Sequence, residues 1–282
     1  MNTLKSVVLL AVMSAILVWC GGAFGGQQGA VIALVFAGVM NFASYWWSDK
    51  IVLKMYKAQE VDESSAPELY ADVRELAHNS GLPMPKVYIV PEQSPNAFAT
   101  GRNPSHSAVA VTQGIMKILD RYELKGVLAH ELAHIKNRDI LIGSVAATIA
   151  AAISYIAWMA QFAAIFGGGR GRNNVFVLLA MAIVAPLAAT IVRLAISRTR
   201  EFGADREGAK ICSNPMFLAN ALRKMDNYAK QIPLSVSEQT AESTSHMMIV
   251  SPMIGGAFAK LFSTHPPTEE RIARLEAMTP VG

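Results

Sequence analysis

The sequence predicts an α+β fold dominated by helices, in which a small β-sheet and a helical domain are carried on four transmembrane helices arranged as two hairpins. Three observations support this. Hydrophobic residues make up 52% of the 282 and charged residues only 16%, a balance too apolar for an ordinary soluble domain of this size. The apolar residues gather into four long runs, two before and two after a mixed central region. Within that region three short stretches of strand composition precede the motif H-E-x-x-H, formed by His130, Glu131 and His134. The resulting organisation is a first membrane hairpin over 1–48, a half-domain with the motif over 49–139, a second hairpin over 140–197 and a second half-domain over 198–282.

The first hairpin is read from Val7 to Phe24 and Ala30 to Trp47, which carry no charge and are each near the minimum length for crossing a bilayer as a helix. Trp19, Tyr45, Trp46 and Trp47 have the character of interfacial anchors. Gly21, Gly22 and Ala23 resemble a signal-peptide cleavage site, but a second apolar run so soon afterwards favours a retained hairpin with Gly25 to Gly29 as its loop. Lys5 before the hairpin, and Lys50, Lys54 and Lys57 after it, put both flanks on the cytoplasmic side.

Next, Pro67 to Asn79 reads as an amphipathic helix ended by Gly81 and Pro83. Lys86 to Val90, Asn96 to Thr100 and Ala108 to Thr112 read as strands of a small antiparallel sheet, with GRNPSHS as a hairpin-like connection. If the strand containing Asn96, Ala97, Phe98 and Ala99 borders a cleft, its backbone edge can pair with an extended peptide. An ordinary edge strand is the equally weighted alternative.

Asp120 and Glu123 have capping-box spacing and start a helix at Arg121. Leu124, Val127, Leu128, Leu132 and Ile135 recur at helical intervals, so one face packs inward. His130 and His134, four apart, share a face and can reach one metal ion. Zinc suits neutral imidazole and activates water, and Glu131 is beside it to act on that water. The implied chemistry is peptide-bond hydrolysis.

The second hairpin is read from Ile140 to Phe166 and Val175 to Val192. Pro186 kinks the last run, as membrane helices tolerate. The loop GGGRGRNN from Gly167 to Asn174 lacks a phosphate-binding pattern and is a turn. Its Arg170 and Arg172 oppose the positive-inside rule, while Lys136, Arg138, Arg193, Arg198 and Arg200 at the base obey it. The motif helix is expected to run straight into a span, which puts the metal near the membrane surface, unless a break at Asn137 to Asp139 turns the chain away. These juxtamembrane residues account for the net charge of +4, and neither charge nor motif calls for nucleic acid. Cys20 and Cys212 fall in different regions, and nothing indicates an oxidising compartment.

A catalytic zinc usually takes three protein ligands. Glu201 and Asp205, one helical turn apart in SRTREFGADREG, offer a third ligand and an acceptor for the free ring nitrogen of a liganding histidine. With Arg200, Arg206 and Glu207 around them, spacing alone favours a solvated charged face over this pair of roles.

HELAHIKNRD, two apolar runs, EFGADREG and STHPPTEERI, in that order and with NAFATG upstream, resemble the HtpX membrane metalloproteases, whose peptidase family also contains the CAAX prenyl endoprotease. The resemblance covers essentially the whole chain. It implies a gluzincin domain, one Zn2+ per chain bound by His130, His134 and Glu201, and a bacterial inner-membrane enzyme facing the cytoplasm. The expected substrates are misfolded membrane proteins, with other quality-control proteases as further partners beside the lipid bilayer. His265 and Arg271 match positions that line the active site in the similar family and are expected to stabilise the oxyanion; locally they also fit a surface helix start capped by Thr268. His246 is read as a loop histidine, with a regulatory metal ligand as the sharper alternative. Two rival functions remain: a noncatalytic adaptor or holdase with structural zinc, and a protease for prenylated peptides.

Overall fold

The computed structural model describes residues 2–141, 198–229 and 266–278. Most of the expected second hairpin, His246 and His265 lie outside the described residues.

The chain opens with α1 (Asn2–Met55), interrupted at Gly26, whose φ of 59° and ψ of −150° are not helical. Glycine adopts this conformation without a Cβ clash. After Gly26 the helix doubles back, because Asn41 Nδ2 donates to Ser14 Oγ at 2.8 Å across 27 residues. An unbroken helix of that length would separate them by about 40 Å. The loop expected over Gly25 to Gly29 therefore contracts to a turn at Gly26 with helix on both sides. Gly26–Ala43 is the one stretch among the described residues long and apolar enough to cross a membrane. Tyr45, Trp46 and Trp47 follow it and stay exposed. The end of the helix then packs Val52 and Leu53, with Tyr56 just beyond, against Val90, Phe98, Ala108 and Ala110 of the sheet.

The sheet has four strands: β1 (Gln59–Val61), β2 (Lys86–Val90), β3 (Ala97–Asn103) and β4 (His106–Thr112), in the order β1-β2-β4-β3. β1 pairs antiparallel with β2 and β3 antiparallel with β4, while β2 and β4 run parallel. This corrects the expected all-antiparallel sheet. The β3–β4 hairpin forms as anticipated, but its second strand slots beside β2, which leaves β3 outermost. The connection is also shorter than expected: both strands extend into GRNPSHS, leaving Pro104 and Ser105 as the turn, and the extra length is absorbed by an irregularity between Gly101 and Asn103. β1 escaped the sequence reading because it is short and polar; Lys86 Nζ and the Tyr88 hydroxyl both donate to Glu60 on it.

The helices are α2 (Pro67–Ser80), α3 (Gln113–Ile118), α4 (Arg121–Lys136), α5 (Arg198–Ile211), α6 (Pro215–Ala229) and α7 (Thr268–Glu276). α4 is the hub, packed by α2, α5, α6 and strands β3 and β4. Its N-terminus carries the anticipated reciprocal cap: Glu123 N–H donates to Asp120 Oδ1 and Asp120 N–H to Glu123 Oε2, both at 2.9 Å. The single inward face expected for it is too narrow. Val127, Leu128, Ala129, Leu132 and Ala133 are all fully buried, because small residues between the large ones let neighbours approach on several sides. Each buried leucine contributes about 1.5–3 kcal/mol, so α4 is held rigidly where its polar residues project.

Candidate metal centre and active site

Three side chains from two helices converge. His130 and His134 project from α4 and Glu201 from α5, and their ligating atoms all lie within 4.8 Å of one another. The two Nε2 atoms are 3.2 Å apart, and each is 3.6 Å from a Glu201 oxygen. Tetrahedral zinc with bonds of about 2.0–2.2 Å puts its ligand atoms roughly 3.3–3.6 Å apart. Both the donor chemistry and the spacing thus fit one zinc ion.

The approach of α5 to α4 depends on Gly208. A Cβ there would lie 2.9 Å from His130 N, 3.0 Å from His130 Cα and 3.1 Å from the carbonyl carbon of Ala129. These are backbone atoms of α4 that cannot swing aside. Glu201 stands about two turns earlier on α5, so this glycine contact brings the carboxylate to the histidines.

Each histidine has its Nδ1 against a carboxylate, leaving Nε2 for a metal. His130 Nδ1 lies 3.0 Å from Asp205 Oδ1, the partner expected from the one-turn spacing to Glu201. His134 Nδ1 lies 3.2 Å from Asp139 Oδ2, a partner that sequence reasoning missed. Asp139 reaches back because α4 stops at Lys136 and Arg138 takes a positive φ of 59°. The motif helix therefore does not run straight into the following apolar run, contrary to expectation. The signal was present in the polar NRD after the helix, which suits a helix end.

Arg271 of α7 lies against Asp205 and His130. Its side chain is 1% exposed; Nε and Nη2 donate to the two Asp205 oxygens at 3.0 and 2.7 Å, and Nη2 lies 3.5 Å from both ring nitrogens of His130. With two donors on a buried carboxylate, it has the geometry of a residue that positions Asp205. α7 is not the surface helix start of the alternative reading: Pro267 occupies the cap position and Thr268 begins the helix.

The electrostatics of the pocket favour a cation. Burial disfavours charge on His130, but hydrogen bonds to Asp205 and Glu201 overcome it and push the ring up to about 9. Burial would likewise raise Asp205, yet the Arg271 charge and the His130 contact hold it down to about 2. Glu131 is 5% exposed and is raised above the usual carboxylate range, chiefly by burial, a direction suited to proton transfer near neutrality. Its Oε2 accepts the N–H of Ala99 at 2.8 Å. Of the strand residues singled out, Ala97 and Phe98 are buried, Asn96 is hydrogen-bonded through its backbone to Thr112, and Ala99 is the one that meets Glu131.

Comparison with known proteins agrees with this architecture. The sequence profile of peptidase family M48 matches residues 63–279. A protein named "Protease HtpX homolog" from Syntrophotalea carbinolica is 56% identical over 283 residues, covering 99% of each chain. One of the same name from Methylibium petroleiphilum is 56% identical over 283 residues, covering 99% of this chain and 98% of its own. Among solved structures, the crystal structure of S. mikatae Ste24p aligns with a TM-score of 0.53 at 18% identity, over 98% of this chain and 65% of Ste24p. That likeness extends to the fold.

Proposed function

We propose, from the premise that this chain belongs to peptidase family M48 and to its HtpX branch, that it is a zinc-dependent membrane endopeptidase for misfolded or damaged membrane proteins. The observation that carries the proposal is the cluster of His130, His134 and Glu201 with Glu131 beside it. The reading includes a bacterial inner-membrane location with the catalytic domain facing the cytoplasm, for which the lysines following the first hairpin are the support.

His130, His134 and Glu201 would hold one zinc ion, with Asp205 and Asp139 fixing the orientation of the two rings. When bound there, zinc would supply Lewis acidity towards the peptide carbonyl and lower the pKa of water. Glu131 takes the proton of the attacking water and returns it to the leaving amine. Arg271 acts through Asp205. His265, next in sequence to the segment that carries Arg271, is the candidate for stabilising the oxyanion. The strand over Asn96 to Ala99 receives the substrate backbone at the side where Ala99 meets Glu131.

The test is cleavage of an unfolded protein by the detergent-purified, metal-stripped chain with and without added zinc, beside Glu131→Gln. The expected result is zinc-restored cleavage that the variant lacks although it still binds zinc. If wild type and variant both bind zinc and neither cleaves, the peptidase proposal fails in favour of a noncatalytic adaptor.

A further inference from the structure

Strand β3 brings a cation to the apolar end of the domain. Phe98 packs on Tyr56 with ring centroids 5.1 Å apart, and the Arg102 guanidinium lies over the Trp46 ring at 4.7 Å. From Phe98 to Arg102, extended chain covers about 13 Å. From Tyr56 back to Trp46, helix covers about 15 Å. The two lengths match, so strand and helix lie side by side in opposite directions, and β3 carries Arg102 towards the apolar segment Gly26–Ala43. Tyr45, Trp46 and Trp47, exposed by 38%, 42% and 47%, follow that segment as an aromatic belt does at a bilayer boundary. Trp46 joins the two environments: Phe42, one turn towards the apolar segment, is 6.1 Å from its ring, and Arg102 reaches the ring from the domain.

A second cation stands beside the first. Lys50 follows Trp46 by one helical turn, about 6 Å along the axis, and is exposed. Residues four apart share a helix face, and helical side chains lean towards the N-terminus, so the Lys50 stem leans back to the level of Trp46. Among the described residues neither Arg102 nor Lys50 has a carboxylate within ion-pair distance, whereas Lys86, Arg121, Lys125 and Lys136 of the same domain are each paired. Asp49, next to Lys50 in the chain, is near enough to Tyr88 of β2 to oppose its ionisation, so its charge falls on the sheet. Lys54 stands about 12 Å from Trp46 along the axis, beyond the screening length of about 8 Å in physiological salt, and lies outside the cluster.

We infer that Arg102, Lys50 and Trp46 form a headgroup site for an anionic phospholipid. A guanidinium lying over an aromatic ring keeps its N–H edge available, so Arg102 can fork onto a phosphate while resting on Trp46. Lys50 adds a point charge to the same group. A zwitterionic lipid suits the site less, because its ammonium adds a third cation where no carboxylate receives it. The inference rests on the membrane location proposed above and adds to it a lipid class. It also ties β3, the strand that meets Glu131 through Ala99, to the bilayer surface.

The test uses the full chain, zinc-loaded, with Trp19, Trp47 and Trp158 replaced by phenylalanine so that Trp46 alone fluoresces. It is placed in vesicles of phosphatidylcholine and phosphatidylglycerol in equal parts, with brominated chains on one lipid or on the other. Bromine quenches only a nearby indole, so the two quenching constants report which lipid sits beside Trp46. The expected result is stronger quenching by phosphatidylglycerol, with each cation contributing about fivefold to the preference. Arg102→Gln and Lys50→Gln should each remove about that factor, their combination should leave no preference, and Arg102→Lys should keep most of it. Glycerol phosphate at matched ionic strength should displace nothing. Equal quenching by the two lipids, or a preference unchanged in the glutamine variants, overturns the inference and leaves the membrane location standing. Displacement by glycerol phosphate also overturns it, in favour of a site for soluble phosphate esters. If neither lipid quenches Trp46, the boundary assigned to it is wrong, and the inference falls together with that part of the membrane reading.

Discussion

Replacing Gly208 by alanine tests whether the centre is assembled by close packing of two helices. The new methyl carbon would sit 2.9–3.1 Å from α4 backbone, against an ordinary contact range of 3.4–4 Å. Relief requires α5 to move by about half an ångström, whereas a metal site tolerates ligand displacements of roughly 0.2 Å. Overpacking of this kind costs about 1–3 kcal/mol, and disturbed ligand orientation lowers metal affinity by about 10–100-fold. Gly203→Ala on the same helix is the matched control, because a Cβ there meets nothing within 4 Å and alanine gains up to about 1 kcal/mol of helix propensity over glycine. Zinc affinity is measured by competition with a chromogenic chelator, and stability by denaturant unfolding in detergent followed by circular dichroism. Gly208→Ala should lose both affinity and stability while Gly203→Ala loses neither. Equal zinc affinity in Gly208→Ala and wild type would refute the claim that this contact sets the Glu201 position.

Removing the acceptor for His134 by Asp139→Ala should weaken zinc about 10–100-fold in the same competition assay with the fold retained; unchanged affinity would mean that the 3.2 Å contact does not orient the ring. Arg271→Ala leaves the Asp205 carboxylate buried without the guanidinium, a loss of about 3–5 kcal/mol in denaturant unfolding, and a midpoint within error of wild type would show that α7 is dispensable to the core. Tyr88 has its hydroxyl pushed up to about 12 by burial and by its hydrogen bond to Glu60. An ordinary tyrosine ionises near 10, so the folded form resists this ionisation and stability falls as pH rises from about 10 to 12. Tyr88→Phe should lack that component of the alkaline loss, seen by comparing melting temperatures across this pH range.

Much of the site could be read from the sequence because its parts are local. H-E-x-x-H places two imidazoles on one helix face, Asp120 and Glu123 announce where that helix starts, and the one-turn interval between Glu201 and Asp205 foreshadows a ligand and its neighbour. What stayed hidden depends on tertiary packing. The sheet order could not be derived, since the β3–β4 hairpin forms equally well whichever of its strands lies beside β2. Asp139 was obscured by treating the motif helix as continuous with the apolar run after it. The contact of Arg271 with Asp205 stayed hidden because a helix N-terminus rich in Glu269 and Glu270 also looks solvated, whereas the same helix buries its Arg271 and Leu275. Amphipathicity identifies which face is buried but not what that face touches.

The distribution of these partners along the chain has a thermodynamic consequence. The rings of His130 and His134 belong to one helix, but the groups that hold them come from three other places: Asp139 just after the helix break, Glu201 and Asp205 beyond the second pair of apolar runs in the sequence, and Arg271 in the last described helix. Among the described residues, no single segment forms the site alone. Metal affinity at the site would therefore include the free energy of docking α5 and α7 onto α4, and a bound metal would in turn stabilise that docking by linkage. The buried pair of Arg271 and Asp205 fits this arrangement. A buried ion pair adds little net stability once desolvation is counted, so its value lies in orientation: it fixes the carboxylate that fixes His130. Loss of Arg271 should accordingly reduce zinc affinity by more than a purely apolar truncation of equal destabilisation on α4, such as Leu128→Ala at about 2–5 kcal/mol. Matching the two variants in unfolding free energy and comparing their zinc affinities separates positioning from bulk stability, and equal affinities would remove the orienting role.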